Sequence, residues 1–203
     1  TFMNQQSCPM KHFIVLLLFA GILFMRTSAQ TPTLNWVNQT GASNSVTNMD
    51  VSIDETGNSY VTGFFSGIID LDPGAGQQLV STVGSSDIFL AKYDSQGQLV
   101  WGKAFGSNGA DEGLHIDVQG NSVVSCGFFL TSVTFDTINP NGFLNSFGDF
   151  DAYITKYDTS GNFIWAKAFG GSSDDEARGI QIDIQGNVYV TGSYQGVVDF
   201  DPN

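Results

Sequence analysis

A twenty-residue stretch, DIFLAKYDSQGQLVWGKAFG from Asp87 to Gly106, returns 64 positions later as DAYITKYDTSGNFIWAKAFG from Asp151 to Gly170. Self-similarity at a fixed period of this size marks an array of supersecondary units, each of which buries its apolar face only against its neighbours. A second element, IDETGNSYVTG from Ile53 to Gly63, returns as IDVQGNSVVSCG from Ile116 to Gly127 and as IDIQGNVYVTG from Ile182 to Gly192. A tryptophan anchor recurs at Trp36, Trp101 and Trp165. The small differences in spacing fall between the elements, where loops tolerate them.

Each unit reads as four short strands. In the first unit these are residues 51–54, 58–65, 87–93 and 98–105, β-branched and aromatic runs separated by Asp54-Glu55-Thr56-Gly57 and Asp94-Ser95-Gln96-Gly97. Aspartate three residues before glycine suits a tight hairpin. The carboxylate caps the turn and the glycine takes the left-handed conformation. The pattern recurs at Asp117–Gly120, Asp158–Gly161 and Asp183–Gly186, and no helical period competes with it. Four antiparallel strands in a repeat of this length predict an all-β fold of β-propeller blades. The copies present amount to about two and a half blades, an open arc of units at 49–106, 113–170 and 179–203. Trp36 matches a fourth strand but precedes any first strand, which predicts an extra outer strand at 34–40, with a strand edge left free to pair.

The combination GNxYVTG, DxFxxKYDxxGxxxWxKxFG and the Asp-Leu-Asp-Pro or Asp-Phe-Asp-Pro element resembles the SBBP-type β-propeller repeat family of bacterial secreted and surface proteins. The resemblance runs from about Leu34 to Asn203. It implies the propeller fold and a surface or extracellular setting, often with an appended sorting or adhesion domain, and no particular chemistry.

Lys11 and His12 precede an apolar run from Phe13 to Met25, followed by Arg26 and the small residues Thr27-Ser28-Ala29. This is the layout of a secretory signal within residues 1–29, leaving the propeller at 30–203. The run is shorter than the ~20 residues of a membrane-spanning helix. Thr1 as first residue, Met10-Lys11 inside the chain and an end within the third copy read as a piece of a longer frame. The formal net charge is −13, with 7 basic residues against 20 acidic. Lys11 and Arg26 both lie in the leader. Such a surface disfavours nucleic acid and anionic lipid and favours cation binding. Cys126 is the only cysteine beyond the leader, so no disulfide forms within this chain.

The connections opposite the Asp-x-x-Gly turns are long and acidic. Asp70 with Asp72, and Asp199 with Asp201, each place two carboxylates on one side of an extended segment, a donor set suited to calcium. The second copy carries Thr134 and Asp136 there, and the alternative is that these aspartates only start turns. Asp111, Glu112, Asp174, Asp175 and Glu176, in the loops between units, are the expected binding face. Trp101 and Trp165, with Phe105 and Phe169, suit inter-blade packing, since a core residue recurs in every unit whereas a sugar platform need appear once. Lys92, Lys103, Lys156 and Lys167 recur likewise and read as snorkelling or pairing with aspartates. His115 aligns with Gln181, and Cys126 with Gly63 and Gly192, as a polar strand residue and a small space-filler. No catalytic residue stands out.

The leading expectation is a secreted or cell-surface scaffold or binding module, non-enzymatic, for a protein or carbohydrate partner. Two alternatives stand beside it: a propeller-based carbohydrate-active hydrolase or lyase using carboxylates at the axis, and a calcium-stabilised adhesion module.

Overall fold

Among the described residues the predicted strands of the three units form, and the alternation of apolar side chains fixes which face each presents. The computed structural model describes Trp36 and residues 41–72 and 74–200. The predicted leader lies outside the described residues, as does the outer strand at 34–40 apart from Trp36. The first unit comprises β1 (Gly41–Ala42), β2 (Ser45–Ile53), β3 (Ser59–Ser66), β4 (Ile68–Asp70), β5 (Leu79–Ser81), β6 (Asp87–Tyr93) and β7 (Leu99–Phe105). The second comprises β8 (Glu112–Gln119), β9 (Ser122–Thr134), β10 (Phe143–Tyr157) and β11 (Phe163–Phe169), and the third β12 (Glu176–Ile182) and β13 (Val188–Ser193). A 3-10 turn, Pro140–Gly142, precedes β10.

Two four-stranded sheets, in the orders β2-β3-β6-β7 and β8-β9-β10-β11, are the first two blades, and β12-β13 is a two-stranded third. All their pairings are antiparallel. The first strands β2, β8 and β12 pack side by side as the inner row. Among the described residues the fold is therefore all-β and propeller-like, with no sheet closed into a barrel.

The first strand starts at Ser45, six residues before the predicted Val51, because Ser45 to Asn48 pair with Gly63 to Ser66 across a bulge between Asn48 and Asp50. The bulge recurs between Gly113 and His115 and between Ala177 and Gly179. In every unit it stands opposite a glycine of the second strand, Gly63, Gly127 or Gly192.

The extra length between the second and third strands is a hairpin folded over the blade. In the first unit it is β4–β5, flanked by β1; in the second it continues β9 and β10. A tyrosine of the third strand locks it down, Tyr93 Oη donating to Leu71 O and Tyr157 Oη to Phe135 O, both at 2.9 Å. Leu71 and Phe135 are buried beneath these extensions. Tyr157→Phe would strand the buried Phe135 carbonyl at a cost of about 1–1.5 kcal/mol. Thermal unfolding followed by circular dichroism should drop by about 2–6 °C, and Tyr93→Phe should act additively.

Four of the five predicted Asp-x-x-Gly turns form as expected. Asp54, Asp94, Asp158 and Asp183 each accept from the backbone N–H groups two and four residues on. Gly57, Gly97, Gly161 and Gly186 sit at φ between 80° and 87°. Asp117–Gly120 does not. The hairpin of the second unit is one residue shorter, pairing Asp117 with Val124 where Ser52 pairs with Tyr60, and it turns through Gly120-Asn121. Asp117 thus lies inside β8, and its carboxylate bridges blades, accepting from Ser52 Oγ at 3.2 Å and from Ile182 N at 2.9 Å.

The same shortening moves two other equivalences. Cys126 pairs with Ile154 as Thr62 pairs with Leu90, so Gly127, not Cys126, is the counterpart of Gly63 and Gly192. His115 corresponds to Asp50 and Gly179 rather than to Gln181.

The main core lies between the first two blades. Phe105 meets Phe135 at 5.1 Å and Tyr157 at 6.0 Å, and Phe135 meets Tyr153 at 4.8 Å. A second cluster between blades two and three buries Val124, Cys126, Ala152, Ile154, Ile180 and Ile182.

Candidate functional site

Antiparallel order puts the short Asp-capped turns at one end of the blades and the long connections at the other. At the long end each complete unit sinks aspartates into its loops. Asp111 is fully buried, its Oδ2 accepting from Ser107 N at 2.6 Å and Ser107 Oγ at 3.1 Å, its Oδ1 from Leu130 N at 3.0 Å. Asp175 repeats the arrangement, accepting from Gly171 N at 2.7 Å and Gln195 N at 2.9 Å. Burial pushes the Asp111 carboxyl up to about 6, against the lowering effect of the Leu130 and Ser107 donors, and the neighbouring Asp87 adds to the rise. Of the expected binding-face acids, Asp111 and Asp175 are therefore built into the loops, Glu112 and Glu176 are half-buried, and Asp174 is exposed.

Asp87 and Asp151, the first residues of the repeated DxFxxKY and DxYxxKY elements, were not singled out in the sequence. Both are buried and both carboxyls are raised by burial, although Val83 N and Phe147 N donate to their Oδ2 atoms. Their Oδ1 atoms are buried without a hydrogen-bond partner. The visible signal was the invariant glycine 19 residues on: a Cβ at Gly106 or Gly170 would collide with the carboxylate of Asp87 or Asp151.

These caps hold an apolar side chain outward. Val83, in the loop before β6, and Phe147, in the irregularity of β10 between Asn145 and Phe150, stand 64 residues apart and are 67% and 66% exposed. Ile138, in the turn of the second extension, is also exposed.

Asp70 and Asp72 lie together but serve their own turn. Asp70 Oδ1 accepts from Asp72 N and Gln78 N, and Asp72 Oδ1 from Gly74 N. Asp136 caps the equivalent turn through Ile138 N and Asn139 N, and Thr134 ends β9. Asp199 is exposed and bridges to Gly170, whereas Asp201 lies outside the described residues. Among the described residues no group of three or more His, Cys, Asp or Glu side chains is placed to hold a metal ion.

At the inner row, His115 Nδ1 lies 3.2 Å from Asp50 Oδ2 and 3.5 Å from Ile180 N, so it donates to the one or accepts from the other. Asp50 also accepts from Ile116 N at 3.0 Å, which ties adjacent blades. Cys126 is buried, its thiol pushed up to about 12 by burial, and donates to Ala177 O at 3.4 Å. A thiol so raised is unreactive. Trp101 packs across the blade joint, its Nε1 donating to Thr159 O at 3.2 Å. Lys92 reaches that same carbonyl at 2.9 Å and lies over the Tyr60 ring, and Lys103 lies over Tyr157. Lys92 thus snorkels to a carbonyl and a ring face, and Lys103 lies over a ring, while the Asp136 carboxyl is held low first by the Asn139 N–H, then by that of Ile138, with the Lys103 charge helping.

Residues 164–193 match the family model described as beta-propeller repeat, SBBP. Over 125 residues, 59% of the chain, the sequence is 30% identical to "Regulatory protein FlaEY" of Caulobacter vibrioides. Over 185 residues, 79% of the chain, it is 23% identical to "Uncharacterized WD repeat-containing protein L264" of Acanthamoeba polyphaga mimivirus. The matches cover 13% of each of these relatives. Among the described residues no helix is long and apolar enough to cross a membrane.

Proposed function

We propose that this chain is a propeller-repeat scaffold of a secreted or cell-surface protein, non-enzymatic, whose long-loop end binds a protein or carbohydrate partner. One observation carries the reading. Buried carboxylates, which burial alone would expel, are kept in two successive units to present Val83 and Phe147 to solvent at equivalent positions. Repetition suits an extended contact surface, since a catalytic group need occur once.

The test immobilises the full chain against panels of polysaccharides and extracellular proteins. Phe147→Ser should weaken a captured partner at least tenfold without lowering the melting temperature, as expected for an exposed apolar contact. Sugar release that survives Phe147→Ser and is lost with Asp50→Asn would overturn the reading in favour of a carbohydrate-active enzyme. Calcium at Asp70, Asp72, Asp199 and Asp201 is proposed on the residue chemistry alone. Bound calcium should raise the melting temperature in millimolar salt, with reversal by chelator, and an unchanged melting temperature removes it.

A further inference from the structure

Blade two departs from blade one along one stretch of its extension. At the 64-residue spacing, Leu79 and Val83 of blade one become Phe143 and Phe147, and Gln77 and Ser81 become Asn141 and Asn145. Phe143, Asn145 and Phe147 at the start of β10 are all exposed, whereas Leu144 and Ser146 between them are half-buried. Asn141, in the 3-10 turn before them, is exposed too. A side chain that only packs recurs from copy to copy, but these four change together.

A further change opens a groove beside them. In blade one the extension closes on the outer strand β7: Gln78 Nε2 donates to Gly102 O at 2.6 Å, and Leu71 lies so near that a Cβ on Gly102 would come within 2.8 Å of it. Blade two has Gly142 at the Gln78 position and Ala166 at that of Gly102. With no side chain on Gly142 to reach across, a groove of about 550 Å³ separates the extension from β11. Asn141, Phe143, Asn145 and Phe147 form one wall, and Ala166 and Ala168 of β11 belong to the other. Neither neighbouring blade covers the first wall. Phe143 and Phe147 are 49% and 66% exposed with blade one in place beside them, and Leu79 and Val83 are 59% and 67% exposed with blade two in place beside them. Trp165 also borders the groove, but like Trp101 it packs at a blade joint and is structural.

We propose that this groove is a binding site for an uncharged polysaccharide strand, an assignment that rests on the long-loop end being the binding end. Sugar rings offer flat C–H faces that stack on aromatic rings, edged by hydroxyls that both donate and accept. Phe143 and Phe147 supply the rings. Asn141 and Asn145 alternate with them in sequence and supply amides, each with two donors and an acceptor oxygen. The Ala166 carbonyl, which Gly142 cannot cap as Gln78 caps Gly102, is one more acceptor for a hydroxyl. Charge selects the class of ligand. Among the described residues lining the groove there is no carboxylate, in a chain with 20 acidic residues, so a cation or a basic peptide meets no counter-charge. The net charge of −13 in turn repels an acidic polymer.

The test runs the full chain in native affinity gels containing laminarin, xyloglucan or galactomannan, with polygalacturonate as the charged comparison. Retardation by at least one uncharged polymer is expected. Phe143→Ala and Phe147→Ala should each weaken it at least tenfold, and Asn145→Ala about fivefold, the loss of one hydrogen bond. Melting temperatures should not change, because all three side chains are exposed. Leu79→Ala and Val83→Ala, 64 residues earlier in blade one, should leave retardation as it is. No retardation by any of the three uncharged polymers, retardation by polygalacturonate alone, or unchanged retardation of a folded protein carrying both Phe143→Ala and Phe147→Ala overturns the proposal. The broader reading fails separately: capture of a protein partner through Phe147 while every polysaccharide gel runs free would sink the glycan assignment and leave the long-loop end as the binding end.

Discussion

Replacing Gly127 with alanine should cost as much as deleting a large aromatic side chain from the core. A Cβ at that position would meet the Glu112 carbonyl across the strand pair, with the Tyr153 ring at 3.0 Å behind it. The carbonyl is brought there by the bulge between Gly113 and His115. Both obstacles are fixed: one is backbone in the inner row, the other a buried ring whose face packs on Phe135. Overpacking against side chains typically costs about 1–3 kcal/mol, and here the strand pairing itself must open. A loss of about 4 kcal/mol is expected, a large fraction of the 5–15 kcal/mol of a typical domain. Thermal unfolding should fall by about 8–16 °C or the protein should collect in the insoluble fraction. Gly120→Ala is the control: its Cβ meets nothing within 4 Å, and only its φ of 56° is strained. Equal stability of the Gly127→Ala and Gly120→Ala proteins would show that the bulge yields.

The bulge explains what was and was not legible in the residues. Strand positions, the Asp-capped turns at Asp54, Asp94, Asp158 and Asp183 and the role of Trp101 as packing were readable, because each depends on local pattern or on recurrence between copies. Asp117 misled because aspartate three residues before glycine names a turn only when the loop length fits. With one residue fewer, pairing of β8 with β9 takes Asp117 into the strand, and its carboxylate finds Ser52 and Ile182 of the flanking blades instead. The equivalence of Cys126 moves with it by one position and that of His115 by two. No local propensity reports such a slip, since period-two pairing tolerates either register until both neighbours are in place.

The candidate site was legible as a face but not residue by residue. Counting acids marked the long loops, yet charge alone does not say whether a carboxylate faces water or loop amides. Asp111 and Asp175 face amides, as do Asp87 and Asp151, and all four recur in consecutive units. The exposed pair Val83 and Phe147 carried a signal of its own, apolar residues 64 positions apart just before the Asp87 and Asp151 elements, which an inventory of acids passes over.

Asp111→Ala should be the second large loss, and the most informative one. It removes the acceptor for the buried Ser107 N and Leu130 N, while Ser107 Oγ keeps Leu130 O at 2.8 Å, and each buried donor left unpaired costs about 1–3 kcal/mol, giving about 2–6 kcal/mol in all. Its companion measurement is stability against pH. Burial raises the Asp111 carboxyl to about 6, above its unfolded value near 3.8, so between these pH values the folded chain holds more protons than the unfolded one. Stability is then greatest when Asp111 is protonated and is lost as pH rises through 6, by up to about 3 kcal/mol for a shift of roughly two units. Asp87 and Asp151 are raised too and act in the same direction. Below about 4 the opposite contribution takes over. The exposed turn cap Asp183 is held low first by the Asn187 side chain, then by further backbone donors, so its protonation on acidification destabilises the fold. Denaturant midpoints should therefore peak near pH 4 and decline on both sides. Asp111→Asn, neutral throughout, should flatten the alkaline limb while remaining less stable than the parent at pH 5, because its amide faces donors on both sides. An alkaline limb unchanged by Asp111→Asn would assign the pH dependence to the general repulsion of 20 acidic residues against 7 basic ones. That repulsion would also fade in high salt, whereas a buried carboxylate is screened far less.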